Sequence, residues 1–463
     1  MDAHETAPAP ADVPSGPGAA QVAVAPEGRR SAQRRTVSTL VVSQVLGGVG
    51  TSGGIAVGSL LAESILGSSG LAGLANTFQI LGSALLVIPM VRLMARRGRR
   101  AGLTAGYAVA VLGASLAVLS AVVRSFELLL LATFLFGAAT ATGNQARYAA
   151  ADLAEPAHRG RDLSTVVWAT TVGAVLGPNL LTPSAPLARA VGIEPVAGVW
   201  FVSVLVFALA GIWLTVRLRP DPLLLSRATE QAASRLPSDD GVHPGVAAST
   251  RPADPPTAAW RILRQNRAAA LGVATVALGH TVMVSVMVMT PLHIRHGGAT
   301  LDLVGIVISV HVLGMYAFSP LMGRLVDARG SRVVALIGSA ILLVGCALAG
   351  ISPMGWSWAL TSGLFLLGLG WSATLVSGST LLTASVPVAD RPRVQGFADL
   401  VMGLCGALGG GVSGVIVEQA GYSRLSVLGG AVALTLAVIL LLPDDARGSS
   451  RSAASHDTTD GTS

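Results

Sequence analysis

His280 and His311 are the titratable side chains of this sequence that fall nearest the middle of long apolar runs. An imidazole changes charge close to neutral pH, so a histidine at that depth suits proton transfer. No Asp or Glu falls in the middle third of such a run. Glu63, Glu127 and Glu418 sit at run ends, and Asp399 lies just inside the end of another. Uncharged polar residues accompany the histidines. Asn76, Gln79 and Ser83 share one face of a helix, as do Thr140, Asn144 and Arg147. Tyr316 follows His311 within the same run, and Trp371 and Thr374 lie in a later one. A polar group without a partner is costly in hydrocarbon, so each is either hydrogen-bonded locally or lines a pathway. Arg147 has three readings: it snorkels to the nearer surface, pairs there, or lines a site. His293 and His296, flanking Arg295, read as solvated loop residues.

Other chemistry finds no support. Neither a nucleophile–base pair nor a metal-ligand spacing nor a phosphate-binding loop is present, so an enzyme is not expected and no cofactor or metal is called for. Cys346 and Cys405 both lie in apolar runs and imply no disulfide framework. The net charge of +7 and pI near 10.5 raise nucleic acid as a partner. The arginines, however, are scattered between apolar runs and do not form one basic face, so no nucleic acid is expected.

The elements that must position these groups are membrane spans. Mean hydropathy is +0.65 and 12% of residues are charged, against about 25% in soluble domains. Runs of roughly 17–25 residues suffice to cross a bilayer. They are expected at 37–61, 71–93, 101–123, 126–147, 163–183 and 199–218, then at 268–292, 303–322, 333–350, 356–380, 396–417 and 425–442. The fold class is therefore an all-α membrane protein with twelve transmembrane helices. Its parts are a disordered tail (1–35), a first six-helix half (36–218), a flexible linker (219–267), a second half (268–442) and a second tail (443–463). The end of the linker, 260–264, reads as a short amphipathic helix at the interface. Placing the amino terminus inside puts 26 of the 31 arginines on the inner side, so both termini are expected in the cytoplasm.

The run Gly323-Arg324-Leu325-Val326-Asp327-Ala328-Arg329-Gly330-Ser331-Arg332 joins spans 8 and 9. A degraded copy, Val91 to Arg100 with its glycine at Gly98 and Arg99 after it, joins spans 2 and 3. Gly98 and Gly330 are 232 residues apart, and the same offset relates Arg161 to Arg393 and Gly177 to Gly409, so a six-span unit is used twice. The pattern resembles the signature loop of the major facilitator superfamily, and the likeness covers residues 37–442. Gly173-x-x-x-Gly177-Pro178 on span 5 resembles the antiporter motif of that superfamily. Leu180 and Leu181 stand where paired glycines are usual, and Thr133 stands where span 4 of drug/proton antiporters carries an arginine.

The resemblance implies two pseudo-symmetric halves around a central cavity and secondary transport by alternating access. A gating loop is implied at Gly323, Asp327, Arg329, Gly330 and Arg332, with Gly98 and Arg99 in the copy. The expected activity is proton-coupled efflux of a small organic or drug-like compound. Uptake of a small polar solute is the alternative, and a membrane-embedded sensor or enzyme the third. The expected partners are the substrate, H+ and the lipid bilayer of the cytoplasmic membrane, with a monomeric chain.

Overall fold

The computed structural model describes residues 26–66, 74–233, 257–298 and 301–442. Most of the two expected tails and the middle of the expected linker lie outside the described residues. The described chain is helical: α1 (Pro26–Leu66), α2 (Leu74–Val123), α3 (Phe126–Ala149), α4 (Arg159–Asn179), α5 (Leu181–Ala190), α6 (Gly198–Arg217), α7 (Pro222–Ala233) and α8 (Thr257–Gln265). Then follow α9 (Arg267–His296), α10 (Leu301–Tyr316), α11 (Ser319–Arg329), α12 (Ser331–Gly350), α13 (Trp358–Ser385), α14 (Arg391–Ala420) and α15 (Tyr422–Leu441). Nine helices among the described residues are long and apolar enough to cross a membrane.

Two glycines set the loop geometry. At Gly98 the 50-residue α2 breaks, with φ 88° and ψ 174°, and so provides spans 2 and 3. At Gly330, between α11 and α12, the angles are φ 84° and ψ 153°. This corner of backbone space is essentially closed to side chains with a Cβ. The offset of 232 therefore relates two copies of one turn. Span 8 is divided into α10 and α11, and α4 ends one residue after Pro178, with α5 following.

The first half packs around aromatic rings. Phe136 meets Trp200 edge-on at 4.8 Å between centroids and Phe207 at 5.2 Å. Small residues bring spans 1 and 5 together, Gly173 against Gly48 and Gly177 against Gly53. The second half has its own core, including Val282, Val286, Leu342, Leu364 and Leu367.

Two boundaries differ from expectation. α1 begins at Pro26, well inside the expected tail, because polar partners continue beyond the bilayer. Gln33 donates to Asp162 and to the Ala150 carbonyl, both at 2.6 Å, and Arg30 pairs with Glu155 at 2.8 Å. The expected linker contains α7, which was not expected, and α8, which spans the short amphipathic helix expected at 260–264. On α8, Ala259 and Leu263 are buried while Trp260 is exposed.

Candidate functional site

At the end of the bundle where Gly98 and Gly330 turn the chain, side chains from both halves form a buried polar network. α2 contributes Arg99, which has no solvent exposure. Its Nε donates to Asp152 Oδ2 at 2.8 Å and its Nη2 to Oδ1 at 3.3 Å. Arg99 also donates to Gln145 at 3.1 Å and, across to the second half, to Gln395. Gln145 in turn donates to Asp399 Oδ2 at 2.8 Å. Asp399 is on α14, so this bond also joins the halves.

Arg147 completes the network from α3. Its Nη2 donates to Asp399 Oδ1, its Nε to Ser379 at 3.2 Å and its Nη1 to Asn144 at 3.1 Å, and the guanidinium lies over the Tyr148 ring. Ser379 stands 232 residues after Arg147, so the bond joins pseudo-equivalent positions. Arg147 is thus paired, with Asp399 as its countercharge. Two arginines meet two aspartates, so the network is electrically balanced although buried. Burying such groups is tolerable only with this degree of pairing and hydrogen bonding.

A second inter-half contact lies at the loop. Asp327 accepts from the Gly160 amide at 2.7 Å and the Arg161 amide at 2.8 Å, at the start of α4. A helix amino end presents unpaired N–H groups and partial positive charge, which suits a carboxylate. Gly323 allows the approach, since a Cβ there would strike Ser164 and the Gly160 carbonyl. The remaining loop arginines act elsewhere. Arg329 is exposed, and Arg332 donates to the Leu440 and Leu442 carbonyls at the end of α15.

The two histidines occupy different settings. Trp371 Nε1 donates to His280 Nδ1 at 3.0 Å. An indole nitrogen can only donate, so His280 is a neutral imidazole with its proton on Nε2. Gly406 of α14 lies against that side of the ring, where a Cβ would crowd Cδ2 and Nε2. Trp371 meets Tyr316 edge-on at 5.5 Å. His311 is fully buried, and its Nδ1 donates to the Leu364 carbonyl at 2.7 Å, tying span 8 to span 10. Its Nε2 is buried without a partner. On span 2, Gln79 is buried, and Asn76 Oδ1 is buried beside Gly58 without a partner.

Of the residues singled out in the sequence, the structure thus brings Arg99, Asn144 and Arg147 into one network, and His280, Trp371 and Tyr316 into an adjacent cluster. Gly173 and Gly177 belong to the span 5 seam, Pro178 stands one residue before the end of α4, and His311 is tied to the second-half core through Leu364. Asp152, Gln145, Ser379 and the role of Gln395 were missed. The available signal was the opposite charge of Arg147 and Asp399, each within an apolar run.

The family profile of the Major Facilitator Superfamily matches residues 39–298 and again 283–461. The chain is 37% identical over 416 residues to the uncharacterized MFS-type transporter YdeG of Bacillus subtilis (strain 168), covering 90% of this chain and 93% of that one. It is 35% identical to a second such transporter of that organism, YddS, with 90% and 92% covered. Among solved structures, the human organic anion transporter MFSD10 (TETRAN) superposes with a TM-score of 0.67 at 18% identity, over 88% of this chain and 99% of that one. In fold, in repeated halves and in sequence, this chain belongs to the major facilitator superfamily of membrane transporters.

Proposed function

We propose that the chain exports a small organic compound across the cytoplasmic membrane in exchange for protons, with the loop end facing the cytoplasm. The observation that carries this reading is the Arg147–Asp399 pair buried between the halves. In a buried pair the mutual attraction is largely offset by desolvation, so the closed arrangement gains little from it overall. When the halves part on that side, both ions regain water. The two states then differ by little free energy, which a reversible transport cycle needs.

Coupling is assigned to His280. A proton arriving at Nδ1 takes the lone pair that Trp371 uses, so it frees the indole that rests on Tyr316. Protonation there breaks the hydrogen bond that ties α9 to α13 beside Tyr316. Export is supported by the Gly173–Gly48 and Gly177–Gly53 seam, the packing that the antiporter-like motif supplies. The arginine distribution supports cytoplasmic termini.

A compound panel offered to inverted membrane vesicles tests the reading. Export predicts accumulation driven by an acid interior and abolished when the gradient is collapsed. Accumulation only in right-side-out vesicles with acid outside would replace export by uptake.

A further inference from the structure

The fold uses its loop twice, but only one copy has the aspartate. Asp327 joins the halves through the amides of Gly160 and Arg161. The position 232 residues before Asp327 is Ala95, which has no acceptor in its side chain. The position 232 residues after Gly160 is Pro392, which has no N–H to donate. The symmetric contact has therefore lost both its anion and the first of its donors.

A residue from the connection between the halves occupies this place. Arg227 on α7 donates from Nη1 to the Ala95 carbonyl at 2.8 Å and from Nη2 to the Ala389 carbonyl at 3.2 Å. Ala95 is near the end of span 2, and Ala389 stands just before α14. The guanidinium thus joins the elements that the missing aspartate would have joined, and its rigid fork suits two acceptors at once. The start of α7 is anchored to the same loop. Asp221 accepts from the Arg100 amide at 2.7 Å and from the Leu223 and Leu224 amides at 3.0 and 3.2 Å. Gly98 leaves room for that carboxylate, which a Cβ would overlap.

We propose that α7 is the second latch of this transporter, with Arg227 as a positioning residue that replaces the lost half of the loop symmetry. One latch is an anion on a helix amino end, and the other is a cation on two carbonyls. The inference rests on the family assignment and on closure at the loop end, and it is independent of substrate, direction and proton coupling.

Hydrogen exchange on the purified full chain in lipid nanodiscs tests it without a substrate. Arg227→Gln is expected to speed exchange of the 389–395 amides about tenfold while the 160–166 amides beside Asp327 change less than twofold. Adding Ala95→Asp with Pro392→Gly, which rebuilds the symmetric contact, is expected to restore slow exchange at 389–395. Should Arg227→Gln fail to insert, Arg227→Lys, which reaches one carbonyl at a time, is expected to show a several-fold increase at the same amides. Wild-type exchange at 389–395 in the variant that inserts would overturn the proposal. Loosening confined to 222–233 and 92–100 would also overturn it, since α7 would then merely brace the first half.

Discussion

Arg147 and Asp399 carry opposite charge on different halves, and each is almost wholly buried. Removing one leaves the other in a dry site without its countercharge, which costs about 3–5 kcal/mol, whereas removing both can be nearly neutral. Asp399→Asn and Arg147→Gln are each expected to lower thermal stability markedly in detergent, and the double variant to recover much of the loss. Additive losses would show that the two charges are not coupled. The histidines separate at the same scale. His280 engages its lone pair with Trp371, whereas His311 is committed to a backbone carbonyl inside the second half. His280→Gln is expected to abolish the response of transport to a pH gradient while substrate exchange persists, and His311→Gln to retain that response. Vesicle transport at matched protein levels measures both. Their similar depth was legible in the sequence, but what surrounds each ring was not, because Trp371 and Leu364 come from a helix much later in the chain.

The elements were more legible than the contacts between them. Gly98 and Gly330 sit among charged residues between apolar runs, and glycine is the residue that such a turn requires. The turns and the repeat could therefore be read directly. Asp327 accepts from the amides at the amino end of α4. Charge-assisted bonds of this kind contribute about 1.5–3 kcal/mol each. Asp327→Asn keeps the shape and removes the charge, so normal insertion with at least several-fold slower transport is expected. Unchanged transport would mean that this contact does not set the balance between states. The helix in the connection between halves was not legible, since Pro222–Ala233 is rich in ordinary polar and aliphatic residues. Its place depends on Asp221 and Arg227 finding partners in distant segments.

For the whole molecule, composition and the 232-residue repeat led to an all-helical membrane protein of two similar halves, and the family match agrees. The inter-half network was largely hidden, because its partners lie up to 296 residues apart and Gln145, Gln395 and Ser379 are unremarkable in isolation. Orientation is tested with cysteines placed on exposed residues in a background lacking Cys346 and Cys405. Met354→Cys is expected to react with an impermeant thiol reagent on whole cells, and Ala328→Cys to be protected. The opposite labelling would invert the topology. The central claim is that Arg147 and Asp399 are paired only while the halves are closed at the loop end, so that removing one partner favours opening there. The distance between spin labels at Ala157 and Ala328, exposed on either side of the Asp327 contact, measures that closure directly. A short distance is predicted for the otherwise native chain, with a longer population growing several-fold on Asp399→Asn. An unchanged distribution in a folded Asp399→Asn protein would contradict it.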